Sequence, residues 1–154
     1  METKHHLRDE TLEKVQDLIQ INIDSQKGFA EAADKVKDQK IATLFRQLGG
    51  ERKTNTTELQ QIVNFNGEEP KDDGSFKATV HRAWIDVRAA VNGGDASVIL
   101  SEAERGEDAI KELYEEVLQE TAGSAVNDVL TRQYAKVKAG HDKVRDLRDA
   151  YAHA

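Results

Sequence analysis

Carboxylates and one histidine interrupt the hydrophobic positions of this chain in a pattern that could serve a metal ion. Glu51, Glu107 and His141 fall on helical lines that are otherwise occupied by Leu, Ile, Ala or Val. A charged side chain in a core has to be paired, hydrated or coordinated, because its desolvation is otherwise too unfavourable. The predicted metal ligands are Glu51, Glu104, Glu107 and His141, with Asp24 and Glu31 as additional candidates.

Two interpretations of these polar residues stay open at the level of sequence. Mixed carboxylate and imidazole ligands suit iron, manganese or zinc. Alternatively, the carboxylates pair with Arg52, Arg105, Arg132 or Lys136 and form a structural network without metal. His141 taken alone favours the structural interpretation, since a single inward histidine is more often hydrogen-bonded than coordinated.

The elements that would position these residues are long amphipathic helices. Apolar residues recur at helical spacing from Asp9 to Lys37, and Asp38 is placed to cap a second helix that runs to about Asn66. The short link predicts that these two helices are antiparallel neighbours. The inward positions of the second helix are Ile41, Leu44, Phe45, Leu48, Leu59, Ile62 and Phe65.

The middle of the chain predicts a long crossover. A loop composition at 67–75 is followed by a short amphipathic helix that carries Val80, Trp84, Val87 and Val91. Gly93-Gly94-Asp95 then predicts a break, because Gly ends helices and Asp caps them. A third long helix over about 96–120 and a fourth after Gly123-Ser124 complete the chain, and the crossover makes the second and third long helices parallel.

Five glycines share nearly the same depth as the predicted ligands: Gly28, Gly49, Gly50, Gly106 and Gly140. A glycine inside a helix costs about 1 kcal/mol relative to alanine, so their grouping needs a reason. One reason is close packing of the helix backbones. The other is room between the helices for an ion, water or the ring of Trp84. Trp84 itself, with His81 on the same short helix, is expected to anchor that helix, and a lid is the alternative.

Size and charge exclude several classes of function. The 154 residues suit one domain spanning 1–154, and the net charge of −7 argues against nucleic-acid binding. The absence of Cys excludes disulfides, zinc–thiolate sites and iron–sulfur clusters. The first twenty residues lack the apolar run of a signal peptide and no segment is long enough to cross a membrane, so we expect a cytoplasmic protein without membrane partners.

Four runs of the sequence resemble an uncharacterised bacterial family of four-helix bundles in the ferritin-like superfamily. They are DSQKGFAEAA (24–33), GSFKATVHRAW (74–84), EAERGEDAIKELY (102–114) and QYAKVKAGHDKVRDLRDA (133–150). The resemblance covers nearly the whole chain and implies an all-α, ferritin-like four-helix bundle. It implies no activity, because the function of that family is unknown.

The chain departs from the ligand pattern of the superfamily. Its di-iron members use a Glu from each of two helices and a Glu-x-x-His from each of the other two. Here Thr54 stands three residues after Glu51, and Lys138 stands three before His141. A standard di-iron oxidase is therefore not expected. We predict a single divalent metal for metal handling or stress protection; the alternative is a metal-free helical protein that acts through a partner or as a homo-oligomer.

Overall fold

The protein is all-helical. The computed structural model describes residues 2–74 and 78–153, and this part of the chain contains five α-helices and no β-strand. The helices are α1 (Asp9–Lys35), α2 (Gln39–Phe65), α3 (Ala78–Gly93), α4 (Ala96–Glu120) and α5 (Asn127–Ala152). The sequence prediction of four long helices and one short one is confirmed. The predicted loop is confirmed as far as Gly74, and Ser75 lies outside the described residues.

The helix boundaries follow from short-range chemistry. Asp38 caps α2 by accepting hydrogen bonds from the backbone N–H of Lys40 at 2.8 Å and of Ile41 at 3.1 Å. Asp95 caps α4 in the same way, accepting from Ser97 at 3.0 Å and Val98 at 3.3 Å. Between α3 and α4, Gly94 has a φ of +82°, which a residue with a Cβ rarely adopts. The predicted break and both predicted aspartate caps are therefore present.

The directions of the long helices follow from contacts between their ends. The N-terminal half of α1 contacts the C-terminal end of α4 through Lys14 and Glu120 at 3.0 Å, so α1 and α4 are antiparallel. At the other end, the Tyr151 hydroxyl donates to Asp38 at 2.6 Å, which joins the end of α5 to the α1–α2 turn. The hydrogen bonds Arg46–Ala33 and Asn55–Asn22 make α2 antiparallel to α1. The contacts Tyr114–Gln133 and Asp108–His141 make α5 antiparallel to α4. It follows that α2 runs parallel to α4 and α1 parallel to α5.

A chain of hydrogen-bonded polar side chains, of which all but Glu58 are buried, joins the four long helices. The chain of bonds starts on α2, passes through α1, α4 and α5, and ends on α2 again. Its members in order are Asn55, Asn22, Tyr114, Gln133 and Glu58, with bonds of 3.2, 2.9, 2.8 and 2.7 Å. Each amide or hydroxyl donates to the next member, so the orientation of every side chain along this network is defined. Such a network fixes the register of the helices, because a shift would leave buried polar groups unpaired.

The segment between α2 and α3 follows α1. Gln16 accepts from the Lys71 backbone N–H at 2.8 Å, and Gln20 donates to the Gly74 carbonyl at 3.4 Å. Further along α1, Gly28 meets the ring of Trp84 on α3. The segment therefore travels along α1 from its N-terminal half towards its C-terminal half and places α3 against α1 and α4.

Trp84 fills the space that two of the glycines leave. It is 1% exposed and packs edge-to-face on Phe29, with ring centroids 4.7 Å apart. A Cβ at Gly106 would lie 2.8 Å from the Trp84 ring, and a Cβ at Gly28 would overlap it. This packing confirms the expectation that Trp84 anchors the short helix. By contrast, a Cβ at Gly50 would meet no atom within 4 Å.

One inward position was predicted wrongly. Phe65 is 61% exposed and packs against the ring of His5 at a centroid distance of 5.2 Å. It is the last residue of α2, so the hydrophobic line that holds Leu59 and Ile62 in the core has already reached the end of the helix there.

Candidate metal centre

His141 and two carboxylates meet between α4 and α5. Glu104 and Asp108 are four residues apart on α4 and therefore share one face, opposite His141 on α5. His141 Nε2 lies 2.7 Å from Asp108 Oδ1 and 4.0 Å from Glu104 Oε1. One ligand atom from each residue lies within 4.8 Å of the others, and no other such group of three is present among residues 2–74 and 78–153. We call Glu104, Asp108 and His141 the α4–α5 cluster.

The two ring nitrogens of His141 have different partners. Nε2 faces the cluster, whereas Nδ1 lies 3.1 Å from Asp142 Oδ1. A carboxylate on the far ring nitrogen orients an imidazole and raises its strength as a ligand. The hydrogen bond from His141 also lowers the pKa of the Asp142 carboxyl, so this orienting group is ionised at neutral pH.

The α4–α5 cluster is partly open to solvent. The His141 side chain is 11% exposed and that of Glu104 16%, but the Asp108 side chain is 48% exposed. Three protein ligands with an accessible side leave coordination positions for water or for a second ligand. The arrangement therefore fits an exchangeable ion better than a closed structural site.

Glu107 points away from the α4–α5 cluster into the core. Its Oε2 accepts from Arg52 Nη2 at 2.6 Å, and both side chains are fully buried. Burial raises the pKa of the Glu107 carboxyl, because the Arg52 charge offsets only part of the loss of hydration. On the same guanidinium, Nη1 lies 3.9 Å from Glu51 Oε2. Arg52 therefore stands between the two inner carboxylates that were predicted as ligands.

The structure divides the six predicted ligands among four places. It brings Glu104 and His141 together and puts Glu51 and Glu107 around Arg52. Glu31 pairs with Arg88 of α3 at 2.5 Å. Asp24 lies beside Gly74, where a Cβ on the glycine would overlap the carboxylate. As a set of metal ligands, these residues stay a prediction.

The predicted arginine pairs are partly present. Arg52 pairs with Glu107, and Arg132 donates to Glu58 at 2.6 Å. Arg105 pairs with Glu102 at 3.3 Å on the surface of α4 rather than with an inner carboxylate.

Sequence reasoning missed Asp108 and one histidine motif. Asp108 stands one turn after Glu104, and that spacing is the signal that could have found it. A Glu-x-x-His spacing occurs once in the chain, at Glu2 and His5 ahead of α1. Glu2 accepts from the Arg8 backbone and from Thr11 at 2.9 and 2.8 Å, so this motif fixes the start of α1 and lies outside the bundle interior.

The comparison with known families identifies the chain at the level of a domain. Residues 10–120 match the family described as Domain of unknown function (DUF2383). The chain belongs to this family. The match takes in α2, α3, α4 and nearly all of α1, and with them Glu104 and Asp108; α5 with His141 lies beyond it. None of the curated proteins compared with the chain matches it.

No helix in the described part of the chain has both the length and the apolar character that a bilayer span needs. The cytoplasmic location stays a prediction from the sequence.

Proposed function

We propose that this member of the DUF2383 family is a ferritin-like four-helix bundle that binds one divalent metal ion at Glu104, Asp108 and His141. The observation that carries the proposal is the approach of His141 Nε2 to Asp108 at 2.7 Å, with Glu104 on the same side. The ion replaces the proton or hydrogen bond that now joins the imidazole to the carboxylate. The ligand set of the proposal differs from the sequence prediction by the entry of Asp108 and the absence of Glu51 and Glu107.

The helix directions support the ferritin-like part of the proposal. A parallel α2 and α4, linked by a crossover that runs along α1, is the connection that ferritin-like bundles use. The chain of hydrogen bonds from Asn55 to Glu58 ties the same four helices together.

The ligand chemistry supports iron, manganese or zinc. Two carboxylates and one imidazole mix hard oxygen with borderline nitrogen, which suits these ions better than magnesium or calcium. Because Asp108 is half exposed, bound ion can exchange with solvent. We therefore propose a role in metal handling or stress protection rather than in holding the fold together.

Calorimetric titration of the chelator-treated protein with Zn²⁺, and electron paramagnetic resonance with Mn²⁺, test the proposal. We expect one site per chain, lost in His141→Ala. His153→Ala is the matched control, since His153 is an exposed histidine at the end of the same helix. Binding that is absent, or that survives equally in both variants, would contradict the proposal.

A second candidate function is that of a metal-free helical protein working through a partner or as a homo-oligomer. It is favoured by the ion pairs that already occupy inner carboxylates, namely Arg52–Glu107, Arg132–Glu58 and Arg148–Glu104. Elemental analysis and analytical ultracentrifugation separate the two candidates, on protein purified without chelators and without a histidine tag. The metal-free candidate requires no bound ion together with a dimer or a captured partner in analytical ultracentrifugation; a stoichiometric ion rejects it.

A further inference from the structure

Arg148 contacts the α4–α5 cluster directly. It lies two turns after His141 on α5, and its Nη1 touches Glu104 Oε2. The other oxygen of the same carboxylate, Oε1, is the one that lies 4.0 Å from His141 Nε2. The Glu104 carboxylate is therefore shared between a permanent cation and the cluster.

Arg148 also has a second carboxylate partner outside the cluster. Its Nε and Nη2 donate to Asp149 Oδ1 at 3.1 and 2.9 Å. The Arg148 side chain is 30% exposed and that of Asp149 54% exposed. If Arg148 releases Glu104, its charge stays paired and partly hydrated, so the release leaves no buried unpaired cation.

We propose that Arg148 competes with the metal ion for Glu104 and thereby sets the affinity of the site. This inference rests on the proposed function. A guanidinium stays charged at every physiological pH, so an incoming divalent ion has to displace it from Glu104 or suffer its repulsion. In the metal-free state Arg148 neutralises the carboxylate, and in the loaded state it leaves Glu104 and keeps its bonds to Asp149. The exchange keeps the charges paired in both states, as a site that takes up and releases an ion requires.

The first test compares Arg148→Gln with Arg105→Gln. Both substitutions remove one positive charge, the first from a residue that contacts Glu104 and the second from the residue that follows Glu104 on α4. However, Arg105 is 67% exposed and pairs with Glu102 rather than with a cluster residue. Arg148→Gln is expected to lower the Kd for Zn²⁺ by about three- to tenfold, the size of a partly exposed ion pair. Arg105→Gln is expected to leave the Kd near that of the wild type.

The second test predicts a change of the Kd in the opposite direction. Asp149→Asn removes the alternative partner of Arg148 and so holds the guanidinium on Glu104. It is expected to raise the Kd for Zn²⁺ by about twofold or more. Asp146→Asn makes the same change of charge, but Asp146 pairs with Arg145 at 3.1 Å and serves as the control.

The outcomes separate this inference from the proposed function. If His141→Ala abolishes binding while Arg148→Gln and Arg105→Gln behave alike, competition by Arg148 is wrong and the metal site stands. If neither the wild type nor any variant binds Zn²⁺, both proposals are overturned. Opposite shifts in Arg148→Gln and Asp149→Asn, with silent controls, establish the competition.

Discussion

Two adjacent carboxylates on α4 have opposite environments. Glu107 is fully buried against Arg52, whereas Asp108 is half exposed and faces His141. One residue along a helix turns the side chain by about 100°, which is enough to move it from the core to the rim. Glu107 has one fixed partner, Arg52, inside the core. Asp108 and His141 keep a side open to solvent, and of the two regions only this one can exchange ligands.

The largest expected difference between the two regions is in stability. Glu107→Ala leaves the Arg52 charge buried without its carboxylate, and we expect a loss of about 3–5 kcal/mol in the free energy of unfolding. Asp108→Ala, on the neighbouring residue, should cost about 1 kcal/mol or less, because Asp108 is half exposed and His141 keeps Asp142 and Glu104 beside it. Urea denaturation measures both. Equal losses would show that the two carboxylates do not differ as described.

A double substitution sharpens the same point. Arg52→Met with Glu107→Leu removes both charges and keeps side chains of similar volume. We expect it to recover most of the stability lost in Glu107→Ala, since buried ion pairs are often replaceable by apolar groups. A double variant as unstable as the single one would mean that the pair does more than neutralise itself.

The stabilisation by zinc should depend on Asp108 and not on Glu107. At a free Zn²⁺ concentration of 100 times the Kd, a one-site protein gains about 2.7 kcal/mol. We expect this gain in the wild type and in Glu107→Ala, and its loss in Asp108→Ala, as read from unfolding curves with and without the ion. Loss of the gain in Glu107→Ala alone would move the site to the interior.

The glycines provide a comparison between filled and open space. Gly28→Ala places a methyl group on the Trp84 ring, and we expect a loss of about 1–3 kcal/mol from overpacking. Gly50→Ala meets nothing within 4 Å and should gain up to about 1 kcal/mol from helix propensity. Thermal unfolding of the two variants checks the signs. A neutral Gly28→Ala would imply that Trp84 is loosely packed.

The smallest expected effect is a difference in carboxyl pKa between Glu107 and Glu58. Burial raises the pKa of Glu107 above 4.5. Burial acts in the same direction on Glu58, but the hydrogen bonds from Arg132 and Gln133 outweigh it and lower the pKa of Glu58 below 4.5. The stabilising contribution of Glu107 is thus lost as the pH rises through its folded pKa. That of Glu58 is present above 4.5 and is lost as the pH falls through its folded pKa.

Carboxyl ¹³C NMR titration measures the two values directly. A pKa above 4.5 for Glu107 and below 4.5 for Glu58 would agree with a dry environment around Glu107 and a hydrated one around Glu58. Glu107 titrating below Glu58 would contradict that division.

The helices could be predicted from the sequence more completely than the candidate site. The aspartate caps at Asp38 and Asp95 and the break at Gly94 are local signals, so the boundaries of α2 and α4 follow from neighbouring residues alone. The partner of Glu107 depends instead on contacts across the bundle. The sequence offered Arg52 as one of four possible partners of the inner carboxylates, and only the packing of the helices shows that it is the one paired with Glu107.

Asp108 illustrates the same limit. Its spacing from Glu104 is visible in the sequence, but which face of α4 meets His141 depends on how α4 and α5 are rotated against each other. Helical periodicity identified the inward-facing positions of α4, which include Glu107. The contact between α4 and α5, which includes Asp108, lies beside those positions.

The most direct test of the metal centre is anomalous X-ray diffraction at the zinc edge from crystals of the wild-type protein grown with Zn²⁺. We predict one anomalous peak per chain between Glu104, Asp108 and His141, with Arg52 still paired to Glu107. A peak between Glu51 and Glu107, or crystals with no peak at the α4–α5 cluster, would contradict the account.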